Sequence, residues 1–120
     1  NRKKAYKAFN KTLEKIKEGC SIIIFPEGTR SEDGEIGPFK KGSNLIASRS
    51  KSPMVPITII GSGEIIKKGS ATITPGPIRV IISPPVEPVS DKKENAAILE
   101  SIRKTIVDTH RQCDAGPDKQ

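Results

Sequence analysis

The chain has 120 residues, a net charge of +7 from 21 Lys+Arg against 14 Asp+Glu, and an aromatic content of only 3%. That length suits one small domain whose core is built from Ile, Val, Leu and Ala. The longest apolar runs reach four residues, which excludes a transmembrane helix within this chain, and "NRKKAYKAF" lacks the apolar stretch of a secretory signal.

The first element is predicted over residues 3–18. Tyr6, Phe9, Leu13 and Ile16 recur at helical spacing and form one apolar face, with lysines, Glu14 and Glu18 filling the other. Gly19 is the expected stop. "SIIIF", residues 21–25, is β-branched, apolar and of buried-strand length. A helix leading directly into a buried strand points to an α/β layout: part of a mixed, largely parallel sheet flanked by helices.

Residues 26–42 hold Pro26, Gly28, Gly34, Gly37, Pro38 and Gly42 and read as a long loop, a type that often carries function in a compact domain. "SNLIASRS", 43–50, reads as a short helix. "MVPITII", 54–60, reads as a second strand, where Pro56 requires an edge, a bulge or a place without ladder pairing. Residues 61–70 form a glycine-punctuated linker, and 71–83 a hairpin or bent strand pair around "PGP". A last helix is expected from about Asp91 to Arg111. Asp91 and Glu94 stand in capping-box spacing, and Ile98, Leu99, Ile102, Ile106 and Val107 supply a core-facing stripe. Residues 1–112 are taken as one domain portion and 113–120 as a polar tail.

Cys20 and Cys113 stand far apart without metal-ligand spacing, so both are expected to be free thiols, and no metal site is expected. A basic balance suits nucleic acid, an anionic membrane or a phosphorylated small molecule. Nucleic acid fits worst. The basic residues are spread, and Tyr6, Phe9, Phe25 and Phe39 form no stacking run.

The polar turn "EGTR" follows the first expected strand, where open α/β sheets bind ligands. Gly28 lets the backbone approach a ligand closely. Thr29 offers a hydroxyl and an N–H, and the Arg30 fork suits two phosphate oxygens. Ionised Glu27 cannot bind phosphate directly. It could hold Arg30 or the turn in place, or accept a hydrogen bond from a substrate hydroxyl. The residues alone also allow a solvated loop with a local ion pair.

"FPEGTRS", then "GPFKKG", then "VPI" resemble, in order and interval, the glycerophosphate acyltransferase superfamily. Within it, the match is strongest to the 1-acylglycerol-3-phosphate acyltransferases. The resemblance covers roughly residues 1–110. It implies that Glu27, Gly28, Thr29 and Arg30 form the acceptor-binding block, with Arg30 gripping the acceptor phosphate. It links Val55, Pro56 and Ile57 with acyl-donor binding or with shaping the site. Lys40 and Lys41 would lie near the anionic site, as anion-steering groups or as ordinary surface lysines. The implied reaction moves an acyl chain from acyl-CoA or acyl carrier protein, as co-substrate and without a further cofactor, to lysophosphatidic acid, giving phosphatidic acid. A lipid acceptor implies association with a membrane, expected at its cytoplasmic face.

The family's base is a histidine with an aspartate five positions later, acting like the His–Asp half of a catalytic triad. That pair is absent here. His110 is the one histidine, Asp114 lies four positions on, and "HRQCD" follows the turn block instead of preceding it. His110 therefore reads as a solvent-facing residue near a helix C-terminus, where positive charge suits the dipole. No catalytic residue is assigned. The chain also starts on Asn1, so a cut point within a longer protein, just after two upstream family blocks, is expected. The chain alone is expected to be inactive. The rival readings are a non-catalytic module for phosphate or anionic lipid, and a sister acyltransferase with another glycerol-phosphate or lysophospholipid acceptor.

Overall fold

A computed structural model describes residues 1–114 of the chain. Six elements follow in order: α1 (Arg2–Lys17), α2 (Lys41–Ser50), β1 (Ile57–Ile60), α3 (Ser62–Ile65), β2 (Arg79–Ile82) and α4 (Lys92–Asp114). The architecture is mixed α/β, as expected, although the sheet among the described residues is a single antiparallel pair and shows no parallel pairing.

Helix α1 forms where its periodicity places it. The Asn1 side chain accepts from the Lys3 N–H at 3.0 Å and caps the first turn. Past its end, the Cys20 N–H donates to the Lys15 carbonyl and the Gly19 N–H to the Ile16 carbonyl. That pair of bonds is a Schellman stop, and Gly19 takes the left-handed φ of 94° it needs. Phe9, Leu13 and Ile16 are half-buried, and α1 packs on α2. Tyr6, expected on the same face, is instead 67% exposed. It lies about one turn ahead of Phe9, toward the N-terminal end of the helix.

Residues 21–25 correct the expected buried strand. They pair with no strand among the described residues, and Ile23 and Phe25 are 77% and 72% exposed. Apolar, β-branched composition supplies the tendency to extend. A strand also needs a neighbouring backbone for its N–H and C=O groups, and composition does not provide one.

The one ladder among the described residues joins β1 and β2 antiparallel, with Ile57 opposite Ile82 and Ile59 opposite Val80. The expected hairpin around "PGP" does not form. Residues 71–78 stay outside the sheet, and 79–82 pair with β1 instead. Pro75 and Pro77 remove the N–H groups that a ladder through this stretch would use. Beyond β1, Met54 bridges Val86 with bonds of 2.9 and 2.7 Å, while the Pro56 carbonyl accepts the Ser83 N–H at 3.0 Å. The register slips by one residue between these points, which makes a bulge. Pro56, Pro84 and Pro85 occupy it because a bulge leaves N–H groups unused. Among the described residues Pro56 stands both on an edge strand and beside the bulge, two of the settings expected for it.

Helix α4 is capped by Asp91, whose Oδ1 accepts from the Lys93 and Glu94 N–H groups, both at 2.9 Å. It continues through Asp114, so residues 113 and 114 belong to the helix and not to a polar tail. The rest of that expected tail, 115–120, lies outside the described residues. The stripe behaves as read: Ile102 is buried and Ile98, Leu99, Ile106 and Val107 are half-buried. Helix α4 packs on β1 and α2. Along β1, Thr58 and Ile60 are buried, while Ile57 and Ile59 on the other face are exposed. No described helix is long and apolar enough to cross a membrane.

Candidate anion-binding site

The loop from Pro26 to Lys40 is tied at three levels. Its ends are joined by the Lys40 N–H, which donates to the Pro26 carbonyl at 2.7 Å. Its middle is joined by Glu27, whose Oε2 accepts the Gly37 N–H at 2.8 Å. Its tip turns on Ser31 and Asp33, whose side chains accept from the N–H groups of Gly34 and Glu35 at 3.1 and 3.0 Å. A loop with its ends together and its own internal bonds can hold side chains in fixed relation.

Glu27 thus holds the turn in place and does not pair with Arg30. Gly28, at φ 71°, donates its N–H to the Phe25 carbonyl at 3.1 Å. The Lys40 stem lies across it, so a Cβ at Gly28 would come within 3.1 Å of Lys40 Cγ. Glycine suits the left-handed backbone here, and a Cβ would also press the Lys40 stem aside.

Thr29, Arg30 and Lys40 border a groove of about 510 Å³ that Glu27, Ser31 and Gly37 help to line. The side chains of Arg30 and Lys40 are exposed and make no ion pair with another described residue. The Thr29 hydroxyl has only a 3.5 Å contact with the Arg30 carbonyl, at the outer limit of a hydrogen bond. One guanidinium, one ammonium and one loosely held hydroxyl on a single groove are donors suited to a phosphate monoester. Glu32, Asp33 and Glu35 border the same groove, and Glu32 is engaged by Lys68 at 2.8 Å. Lys68 holds the Glu32 carboxyl below the usual carboxylate range, first by its hydrogen bond and then by its charge.

The structure brings Glu27, Gly28, Thr29, Arg30 and Lys40 together. Lys41 is left as the first residue of α2, exposed and off the groove. Val55, Pro56 and Ile57 do not line it either. Val55 and Ile57 are exposed at the start of β1, and Pro56 is buried at the bulge. Because α4 runs past Arg111, His110 lies ahead of its last turn, and it is half-buried instead of solvent-facing. Cys20 and Cys113 are free thiols.

Two residues at the site had no signal in the sequence. Lys68 comes from the glycine-punctuated stretch after α3 and reaches Glu32 across 36 positions. Arg103 comes from α4, where it reads as part of a solvated charged face. Its Nε–H donates to the Gly37 carbonyl at 3.4 Å, so α4 holds the same peptide segment that Glu27 holds from the other side.

Known proteins share the family and the fold of this chain. The model of the Acyltransferase family matches residues 1–60, which include the whole loop. The crystal structure of the 1-acyl-sn-glycerophosphate (LPA) acyltransferase of Thermotoga maritima superposes with a TM-score of 0.82 at 35% identity, over 91% of this chain and 45% of that one. A chloroplastic 1-acyl-sn-glycerol-3-phosphate acyltransferase of Brassica napus is 51% identical over 75 residues, 62% of this chain and 22% of that protein. A 1-acyl-sn-glycerol-3-phosphate acyltransferase of Saccharomyces cerevisiae is 30% identical over 97% of this chain and 40% of its own length. The chain thus spans between 22% and 40% of the length of these two relatives. With half of its residues matched by the family model and its fold shared over 91% of its length, the chain belongs to the Acyltransferase family.

Proposed function

We propose that this chain supplies the acceptor-binding part of a 1-acylglycerol-3-phosphate O-acyltransferase. The reaction moves an acyl group from acyl-CoA or acyl carrier protein to the free hydroxyl of lysophosphatidic acid and yields phosphatidic acid. The observation that carries this reading is the Arg30–Lys40 groove, on a fold shared at 35% identity with an LPA acyltransferase.

In this reading Arg30 takes two phosphate oxygens with its fork, and Lys40 adds a point charge. Gly28 leaves room for the Lys40 stem to cross the backbone. Glu27 and Arg103 act through Gly37, holding the loop so that Arg30 is set in advance of binding. Anchoring the phosphate positions the acceptor hydroxyl for attack on the thioester carbonyl. The new C–O bond forms as the C–S bond breaks. The hydroxyl proton goes to a general base, and the thiolate leaves as thiol after protonation. No residue of this chain is assigned as that base. Val55, Pro56 and Ile57 lie off the groove, so an acyl-donor role for them would act at a separate place. A lipid acceptor sets the enzyme at a membrane, proposed here as its cytoplasmic face.

The test compares wild type with Arg30→Ala and Arg30→Lys. Acyl transfer is measured with the full open reading frame that encodes this chain, and binding of glycerol 3-phosphate and lysophosphatidic acid with the 120-residue chain. Losing a charge-assisted contact should reduce acceptor affinity and kcat/KM by roughly 10- to 100-fold, with Lys restoring part of it. The 120-residue chain should bind and not transfer. Transfer at wild-type rates by Arg30→Ala would overturn the acceptor role. Binding without transfer by the full open reading frame would favour a non-catalytic anion-binding module.

A further inference from the structure

Helix α1 carries seven basic residues, Arg2, Lys3, Lys4, Lys7, Lys11, Lys15 and Lys17, against one acid, Glu14. Its net charge of +6 is nearly all of the chain's +7, since the remaining 14 basic residues face 13 acids. The positive residues are scattered, but the largest local excess is on α1, against +2 on α2.

The arrangement on the helix is one-sided. Lys4, Lys7, Lys11 and Lys15 follow at intervals of three, four and four, which places them on one face. Phe9, Leu13 and Ile16 are half-buried and Lys4, Lys7 and Lys11 are exposed. Of the four lysines only Lys15 is paired, to Glu18 at 3.0 Å, while Lys4, Lys7 and Lys11 make no ion pair with another described residue. A face kept for solvent alone tends to mix signs, as α4 does with Glu100–Arg103 and Lys104–Asp108. Residues 18–26 are all that separate the end of α1 from Glu27.

We propose that the lysine face of α1 is a docking surface for an anionic lipid bilayer. The charge is complementary to acidic headgroups, and a straight row of ammonium groups suits a flat surface. The choice of bilayer over another polyanion rests on the lipid acceptor proposed above. Nucleic acid is disfavoured because Tyr6 and Phe9 are the only aromatics on α1, and Phe9 is turned inward. Docking by α1 would hold the acceptor loop close to the headgroup layer from which a lysophospholipid must enter.

The experiment is co-sedimentation of the chain with vesicles of equal parts phosphatidylglycerol and phosphatidylcholine, and with vesicles of phosphatidylcholine alone. Neither contains lysophosphatidic acid. Binding is expected only with phosphatidylglycerol present, and is expected to fall steeply as salt is raised. Replacing Lys4, Lys7 and Lys11 together by Gln should weaken it on the order of 100-fold, at about fivefold per charge. A control that replaces Lys51, Lys92 and Lys93 by Gln carries the same total charge and should bind nearly as wild type. Circular dichroism confirms that both variants fold. Arg30→Ala should leave vesicle binding intact, so a failed acceptor reading and a failed docking reading give different results. The proposal is overturned if the α1 variant binds like wild type, if the control loses as much, or if neutral vesicles bind equally. Preference for duplex DNA over anionic vesicles at matched salt would also overturn it.

Discussion

The Glu27 carboxylate accepts the N–H of Gly37, ten residues along the chain, at 2.8 Å, and the carbonyl of Gly37 receives Arg103 from α4. One peptide segment is thus held at both polar ends. Arg30 and Lys40 stand on the loop that this segment closes. The acid of the "EGTR" turn therefore works as a brace. Its negative charge, which would repel a phosphate, is directed at a backbone donor.

The brace predicts a graded response. Glu27→Ala leaves the Gly37 N–H without its acceptor, while Glu27→Gln keeps an acceptor oxygen but loses the charge. Removing a charge-assisted bond costs about 1.5–3 kcal/mol. Hydrogen exchange at the Gly37 amide should therefore accelerate by roughly 10-fold or more in Glu27→Ala and by less in Glu27→Gln. Glycerol 3-phosphate binding should weaken in the same order. Unchanged exchange at Gly37 in Glu27→Ala would show that the loop is held by other bonds.

Thr58 is fully buried between β1 and α4, and its hydroxyl has no partner among the described residues. A buried hydroxyl without a hydrogen bond costs about 1–3 kcal/mol relative to water. Thr58→Val keeps the branched shape and suits a strand. It should raise stability by about 1 kcal/mol, read as a higher urea midpoint at unchanged slope. A lower midpoint would mean that the hydroxyl has a partner.

The Lys68–Glu32 pair joins the stretch after α3 to the loop tip at 2.8 Å. Lys68 depresses the Glu32 pKa. A carboxyl with its folded pKa below its unfolded one contributes stability above the ordinary carboxylate range. That contribution is lost as pH falls through the folded value. The Glu32 side chain is 80% exposed and that of Lys68 38%, so the effect should be small and salt-sensitive. A double-mutant cycle with Glu32→Gln and Lys68→Met should show favourable coupling at neutral pH and low salt. The coupling should vanish well below the carboxylate range. Equal coupling at both pH values would rule out an ionic origin.

Sequence alone determined the features whose bonds close within a few residues. The spacing of Phe9, Leu13 and Ile16, the Gly19 stop, the Asp91 cap and the Ile98–Val107 stripe each describe contacts that recur every three or four positions. Such contacts form in the same way whatever surrounds the helix. The order "FPEGTRS", "GPFKKG", "VPI" likewise pointed to the family without any fold in view. Tertiary structure decided what depends on a distant partner. It paired Arg79–Ile82 with β1 across the bulge and left residues 21–25 without a ladder among the described residues. It turned Glu27 to Gly37, brought Lys40 over Gly28, and delivered Lys68 and Arg103 from 36 and 66 residues away. A strand's hydrogen bonds and a loop's ion pairs are made between segments remote in the chain. Local pattern shows which residues can make them, and only the packed fold selects which ones meet.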